Sequence, residues 1–410
     1  MIETSNVHFF QNKKFQTAQL GCFFRLPLTQ ENLAYATLLA LYQGNVSHRY
    51  QTMQQQAVRL AELYDVNLSI FPQVRGNQII FQVRVEWIEP SLILDQDYTN
   101  AQVVELARAI LLEPLFTDNA GEMLRYTKNE LFDEIDEFFD APDNVAFYDF
   151  YQQYYVDHPD YSRTLFGDID LLHKISLEEL HDFHRQLLDA PALVIGTERD
   201  VLELTDLVMA KLVTQIPGLK REFTEQNLRI APVEHDYQEI TKQFGAQQAQ
   251  LFMGYAVLNP PINRWIGNVF TQYLGGDESS ILFRNVRERL GAAYAIDALN
   301  YNDNNLLVVT AGLEKDKVEA SKLVIKDELQ KIAAGAIDRQ LLEQAKSSLV
   351  RQRKMLFDRQ KNIMAVKLNA ELRGVKESEA EIERQITLVS QKMIQDFASQ
   401  LLLKESYILE

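Results

Sequence analysis

The chain predicts an α+β fold built twice, as two similar domains, each a mostly antiparallel sheet packed with helices. Three observations carry this prediction. At 410 residues and 46% apolar composition the chain exceeds what one core usually organises; two domains of about 200 residues, each able to bury a full core, are expected. Second, Ser176 to Leu188 runs into Leu193-Val194-Ile195, and Ser390 to Leu402 runs into Tyr407-Ile408-Leu409. Ser, Asp, Phe, Gln, Leu and Leu recur between the two copies at one constant offset of 214 residues without a gap. Third, strands come as hairpin pairs and helices come in blocks, which favours α+β layering over a doubly wound parallel sheet.

The elements follow in order. Gln19 to Leu26 reads as a strand leading through Pro27 to a helix that ends at Gly44. Asp65 to Phe71 and Gln78 to Glu86 form a strand pair around the turn signal Arg75-Gly76-Asn77. Near Lys128, carboxylates at Asp133, Glu134, Asp136, Glu137 and Asp140 alternate with Leu131, Phe132, Ile135, Phe138 and Phe139, the pattern of an amphipathic helix with a solvated acidic face. The Ser176 helix keeps apolar residues at three- and four-residue spacing before its β-rich run. A linker lies within Gln215 to Pro232, so the domains are expected at 1–218 and 228–410. The second domain repeats the plan: Gln250 to Val257, Pro260-Pro261, a helix ending near Gly275-Gly276, then Ala292 to Asn300 and Leu306 to Leu313 around Asn302-Asp303-Asn304-Asn305.

Composition excludes several function classes. With 41 basic and 58 acidic residues the formal charge is −17, which repels phosphate backbones and anionic lipid and argues against nucleic-acid or membrane partners. The single Cys22 rules out a disulfide framework and a thiolate zinc site, and its apolar setting, Leu20-Gly21-Cys22-Phe23-Phe24, reads as a buried structural thiol. The N-terminus shows no basic segment followed by an apolar core, and no window approaches 18 uninterrupted apolar residues; a cytoplasmic location is expected.

Several segments carry a resemblance to a known family. Asn32-Leu33-Ala34-Tyr35-Ala36-Thr37-Leu38-Leu39-Ala40 through Gly44 is similar in frame to the zinc helix of the pitrilysin/insulinase metallopeptidases, which includes the mitochondrial processing peptidases and uses an inverted H-x-x-E-H motif. In that register Tyr35 and Leu39 stand at the two His positions and Leu38 at the Glu position. Zinc takes imidazole, thiolate or carboxylate donors. Leucine offers none, and no general base remains beside Tyr35. Lys128 to Ile135 resembles the stretch that supplies the third ligand, with Glu134 at the ligand position and Thr127 where the family has an acidic residue. Leu274-Gly275-Gly276-Asp277-Glu278-Ser279-Ser280-Ile281-Leu282-Phe283-Arg284-Asn285-Val286-Arg287-Glu288-Arg289-Leu290-Gly291-Ala292-Ala293-Tyr294 closely resembles the family's L-G-G-G-x-S-S-x-L-F-x-x-V-R-E-x-x-G-L-A-Y. Asp157-His158-Pro159 and Leu165-Phe166-Gly167-Asp168-Ile169 match scaffold positions.

The resemblance implies a pair of pitrilysin-like (metallohydrolase-like) domains with no catalytic residue and no metal of their own. Arg287 and Tyr294 are implied as substrate contacts, a guanidinium for a peptide carbonyl or carboxylate and a phenol for a developing oxyanion. An Arg on a helix end holding acidic neighbours, with Tyr filling a strand start, is the plainer alternative. Other zinc ligands are scarce. Among seven histidines only His181 and His184 are close, three apart near Glu178 and Glu179, and the duplicate helix has no imidazole. H-E-x-x-H, G-x-S-x-G and G-x-x-x-x-G-K-[ST] are absent.

The expected function is that of a catalytically inactive peptidase homologue, the substrate-binding or chamber-forming subunit of a peptidase whose H-x-x-E-H partner chain supplies zinc. The partner is a homologous active chain in a heterodimer or a second copy in a homodimer, with a peptide as substrate. A stand-alone peptide-binding or assembly protein is the alternative, and a peptidase with replacement metal ligands a third.

Overall fold

The computed structural model describes residues 6–117, 120–162, 165–199, 201–375 and 378–410. The N-terminal segment that lacks a leader pattern falls mostly outside this set, in residues 1–5. One sheet holds β1 (Val7–Gln11), β2 (Thr17–Pro27), β3 (Asn67–Arg75), β4 (Gln78–Ile88) and β5 (Ala192–Glu198) in the order β1-β5-β2-β4-β3. The other holds β6 (Gln238–Lys242), β7 (Ala249–Val257), β8 (Ala293–Tyr301), β9 (Leu306–Leu313) and β10 (Leu401–Leu409) in the order β6-β10-β7-β9-β8. The orders are identical, so the duplication inferred from one repeat extends to the whole sheet. Each sheet is antiparallel except at one edge, where β1 runs parallel to β5 and β6 parallel to β10.

Two of the six repeated residues keep the same role in both copies. Ser176 and Ser390 are both N-caps, accepting from the N–H of Glu179 and Met393 at 3.2 Å, a contact that satisfies one orphan donor of the first turn. Phe183 and Phe397 are both buried. The copies part at their ends: the first helix runs Leu177–Asp189, whereas the second stops at Ser399. Leu401 and Leu402, read from sequence as helical, open β10 instead, because strand pairing with Val257 and Ala256 claims them.

The chain forms two compact units, and each takes a segment from the opposite half. Unit 1 comprises Met1–Ile135, Thr164–Asn227 and Ile363–Val375; unit 2 comprises Asp136–Arg163, Leu228–Asn362 and Lys376–Glu410. In unit 2, Leu251, Met253, Tyr255, Leu307, Val309 and Ala311 point to one face of the sheet and join the core made with the Trp265–Gly275, Val318–Ala333, Arg339–Leu356 and Gln391–Ser399 helices. Alternation sends Phe252, Ala256, Leu306, Val308 and Tyr407 to the other face, where they meet Phe150, Tyr151 and Tyr154 of the Pro142–Tyr154 helix. Unit 1 uses the same device with the Gln360–Arg373 helix. There Lys367 lies 4.3 Å over the Phe10 ring and Glu371 sits 3.4 Å from His8.

Glycine allows these crossings. A Cβ on Gly21 of β2 would lie 2.8 Å from the Met364 sulfur, and one on Gly254 of β7 would lie 2.8 Å from Phe150 and Tyr154. Both distances are below van der Waals contact. Among the described residues no helix is long and apolar enough to cross a membrane.

Candidate functional site

The helix that carries the degenerate zinc positions spans Gln30–Asn45, with the Thr29 side chain accepting from Asn32 N–H as its cap. Its interior is core. Leu38 and Leu39 are 0% exposed, so the Glu position and one His position have become apolar packing worth roughly 2 kcal/mol of burial per leucine. Tyr35, at the other His position, is half-buried and stacks on Phe183 with ring centroids 5.2 Å apart. Burial, then the charges of Glu179 and Glu31, push its phenol up from the ordinary value. The phenolate that a metal would need is therefore disfavoured.

Glu134 lies exposed on the Ala120–Asp140 helix, whose acidic residues from Asp133 to Asp140 face outward while Leu131 and Ile135 are buried. Thr127 is fully buried, and its hydroxyl finds no hydrogen-bond partner. A different residue ties this helix to the zinc-motif helix: Asn45 donates to Glu130 Oε2 at 2.7 Å.

Sequence reasoning missed the charge of Glu179 acting on Tyr35 and that of Lys128 acting on Glu179. Glu179 is held below the usual carboxylate range by hydrogen bonds from the Ser176 backbone and hydroxyl, with help from Lys128. Lys128 donates to the His173 carbonyl at 2.8 Å; burial pulls its ammonium down, and Glu179 opposes that pull. Phe132 stacks on the His173 ring at 3.7 Å between centroids. Lys128 and Glu179 thus act on each other through their charges, and Glu179 in turn acts on Tyr35. The capping-box spacing of Ser176 and Glu179 was the available signal for the Glu179 half of this.

The histidine pair is engaged in packing and hydrogen bonding. His184 is buried with Nε2 2.8 Å from the Leu111 carbonyl, and burial pushes its pKa down to about 4. His181 instead stacks on Phe116 at 4.5 Å. Among the described residues, no three His, Cys, Asp or Glu side chains gather to hold a metal ion.

Arg287 and Tyr294 belong to unit 2, whereas Tyr35, Leu38, Leu39 and Glu134 belong to unit 1. Arg287 sits in Phe283–Arg289, a widened helical turn closed by the Leu290 N–H on the Asn285 carbonyl. Such π-type turns recur at functional sites. Gly291 leaves the turn at φ +59, the left-handed region open to glycine. The Arg287 guanidinium is exposed and lies 4.7 Å over the Phe283 ring. Tyr294, second residue of edge strand β8, is 58% exposed. Both side chains are thus presented to solvent and neither is consumed in the core.

Asp277, where the family pattern has its third glycine, braces this segment. Its carboxylate accepts from Ser279 N–H at 2.9 Å, Ser279 Oγ at 2.6 Å, Gln272 at 2.7 Å and Ser348 at 3.0 Å. Burial alone would raise its pKa; these donors overcome it and hold the group low.

Residues 174–349 match the family model described as the peptidase M16 inactive domain. Relatives named as uncharacterized zinc proteases include one from Rickettsia felis, 25% identical over 215 residues, covering 51% of this chain and 50% of that one. Another, from Bacillus subtilis, is 21% identical over 234 residues, covering 55% and 54%. The chain spans about half the length of the curated relatives it matches. Solved structures with the same fold include a conserved protein from Enterococcus faecalis, with TM-score 0.87 and 22% identity over 98% of this chain and 96% of that one. A peptidase M16 inactive domain from Pseudomonas fluorescens gives TM-score 0.79 and 14% identity over 100% and 96%. These structural likenesses establish the pitrilysin-like α+β fold. Over residues 174–349 the chain is similar to the family described as the peptidase M16 inactive domain, and its sequence carries no H-x-x-E-H zinc motif, as expected of a non-catalytic peptidase homologue.

Proposed function

We propose that this chain is the non-catalytic subunit of a heteromeric cytoplasmic peptidase, paired with a homologous chain that keeps H-x-x-E-H and binds the zinc. In that assembly it forms part of the wall around a peptide substrate and contributes Arg287 and Tyr294 to it. One observation carries the reading: the zinc helix has been converted to core at Leu38 and Leu39, while the Arg287 to Tyr294 segment keeps its residues, its braced turn and its exposure.

Isolation from native cells at mild salt, with mass spectrometry of stoichiometric partners, tests the pairing. A partner with H-x-x-E-H supports it. Arg287→Ala in the assembled pair should then lower kcat/KM by about tenfold or more, the scale of one lost charge-assisted contact, and an unchanged value refutes a shared site. Recovery of the chain alone or as a homodimer, with bound peptide, favours the second reading, a stand-alone binding protein. Its specific support is the edge position of β3 and β8, where an extended peptide can add as a further strand.

A further inference from the structure

Unit 2 contains a pocket of about 360 Å³ between the Pro142–Tyr154 helix and the face of the sheet on which that helix lies. Arg287 and Tyr294 do not line it. Its walls include Asp143, Phe147 and Tyr151 from the helix, with Phe252 of β7 and Asp297 and Tyr301 of β8. The rings are contiguous: Phe147 and Tyr151 are 4.6 Å apart, and Tyr151 meets Tyr301 edge-on at 6.1 Å. Asp143 and Asp297 are exposed. Among the described residues neither has a hydrogen-bond or ion-pair partner, and no lysine or arginine lines the pocket.

Two solvated aspartates on an acidic surface would ordinarily mean little. Here they open onto a cavity within the size range of small-ligand sites and share it with four aromatic rings. The polarity is not a consequence of the fold, because the corresponding face of β2, β3 and β4 in unit 1 carries three arginines against one carboxylate, Glu86. There Arg84 lies 5.5 Å from both the Phe23 and Phe71 rings, with Arg75 and Arg25 on the same strands' face. One scaffold carries opposite charge in its two copies.

Ring faces attract cations, and carboxylates give charge-assisted hydrogen bonds to guanidinium and ammonium groups. We propose that this pocket binds the basic side chain, arginine or lysine, of an extended peptide. Residues 295, 297, 299 and 301 of edge strand β8 line it in alternation, so a chain lying along that rim would drop one side chain inside. The inference deepens the peptide-binding reading above and rests on it for what the site serves.

The test is fluorescence polarisation on the purified full chain without any partner, using a labelled Gly-Ala-Arg-Ala-Gly peptide, its lysine and citrulline counterparts, and spermidine as competitor. The expected result is binding of the arginine and lysine peptides, at least tenfold weaker binding of the isosteric uncharged citrulline peptide, and about tenfold loss with D297N or with D143N/D297N. D182N, an exposed carboxylate of unit 1, should change nothing. Equal binding of the citrulline peptide, absence of binding, or equal loss with D182N overturns the proposal; binding of spermidine but of neither basic peptide overturns the peptide assignment. No partner chain is present in this assay, so its failure leaves the co-purification test of the heteromeric reading intact, and the reverse also holds.

Discussion

Glu405→Gln is expected to stabilise the protein at neutral pH and to leave it unchanged in acid. Glu405 is 0% exposed on β10, between Gln238 of β6 and Gly254 of β7. Neither of its oxygens has a hydrogen-bond partner. The adjacent Lys404 does not neutralise it, because that ammonium donates to the His235 carbonyl at 2.6 Å and the Glu234 carbonyl at 3.3 Å. Burial raises the carboxyl from 4.5 to about 8. At pH 7 the folded protein therefore holds a proton that the unfolded chain has released. A folded pKa above the unfolded one makes an acid destabilising once pH exceeds the unfolded value, and the penalty grows until pH passes the folded value. From 4.5 to 7, at about 1.4 kcal/mol per unit, the penalty is about 3 kcal/mol. Glutamine mimics the protonated carboxyl and has no proton to bind. The variant should gain about 3 kcal/mol at pH 7, or about 6–12 °C in Tm for a unit of this size, and nothing near pH 4. Thermal and urea unfolding of both proteins at pH 4 and pH 7 measure this. An equal gain at both pH values, or no gain at pH 7, refutes the argument.

Three further outcomes follow from the packing. G21A should destabilise by about 1–3 kcal/mol through overpacking, since the new Cβ meets the Met364 sulfur and the Phe23 ring; G21A/M364A should recover part of this in a double-mutant cycle. L38E places a carboxyl at a 0% exposed position and should cost several kcal/mol at pH 7, less in acid, without bringing stoichiometric zinc to the purified chain; urea midpoints and metal analysis check both parts. Cys22 is buried and its thiol is pushed up to about 12 by burial, so a thiol reagent at pH 8 should modify it only in denaturant.

Much of the architecture was readable because the duplicated segments satisfy local rules. Ser176 and Ser390 announce helix starts as caps, and Arg75-Gly76-Asn77 sits at a tight hairpin where β3 ends and β4 begins. The parallel edge strands β1 and β6 escaped, being five residues each and mostly half-exposed or exposed, with partners far along the chain. The crossing of the Pro142–Tyr154 and Gln360–Arg373 helices onto their sheets escaped as well. Amphipathic periodicity states that a helix has an apolar face, not which sheet will take it. At the site, the replacement of zinc donors at Tyr35, Leu38 and Leu39 was legible as chemistry missing from a helix. The approach of Lys128 to His173 and Glu179, and of Ser348 to Asp277, was not, because these residues are distant in sequence and only the fold brings them together.

The exchanged segments change what the two copies are to each other. Each half of the chain holds the helix that shields one face of the other half's sheet, so a break between residues 215 and 232 would yield two fragments, each with a stripped sheet and an orphaned apolar helix. Duplication usually frees one copy to be trimmed or discarded as its sequence drifts. Here a sheet without zinc donors still depends on the other half of the chain for its covering helix, so neither copy can be removed without uncovering the other.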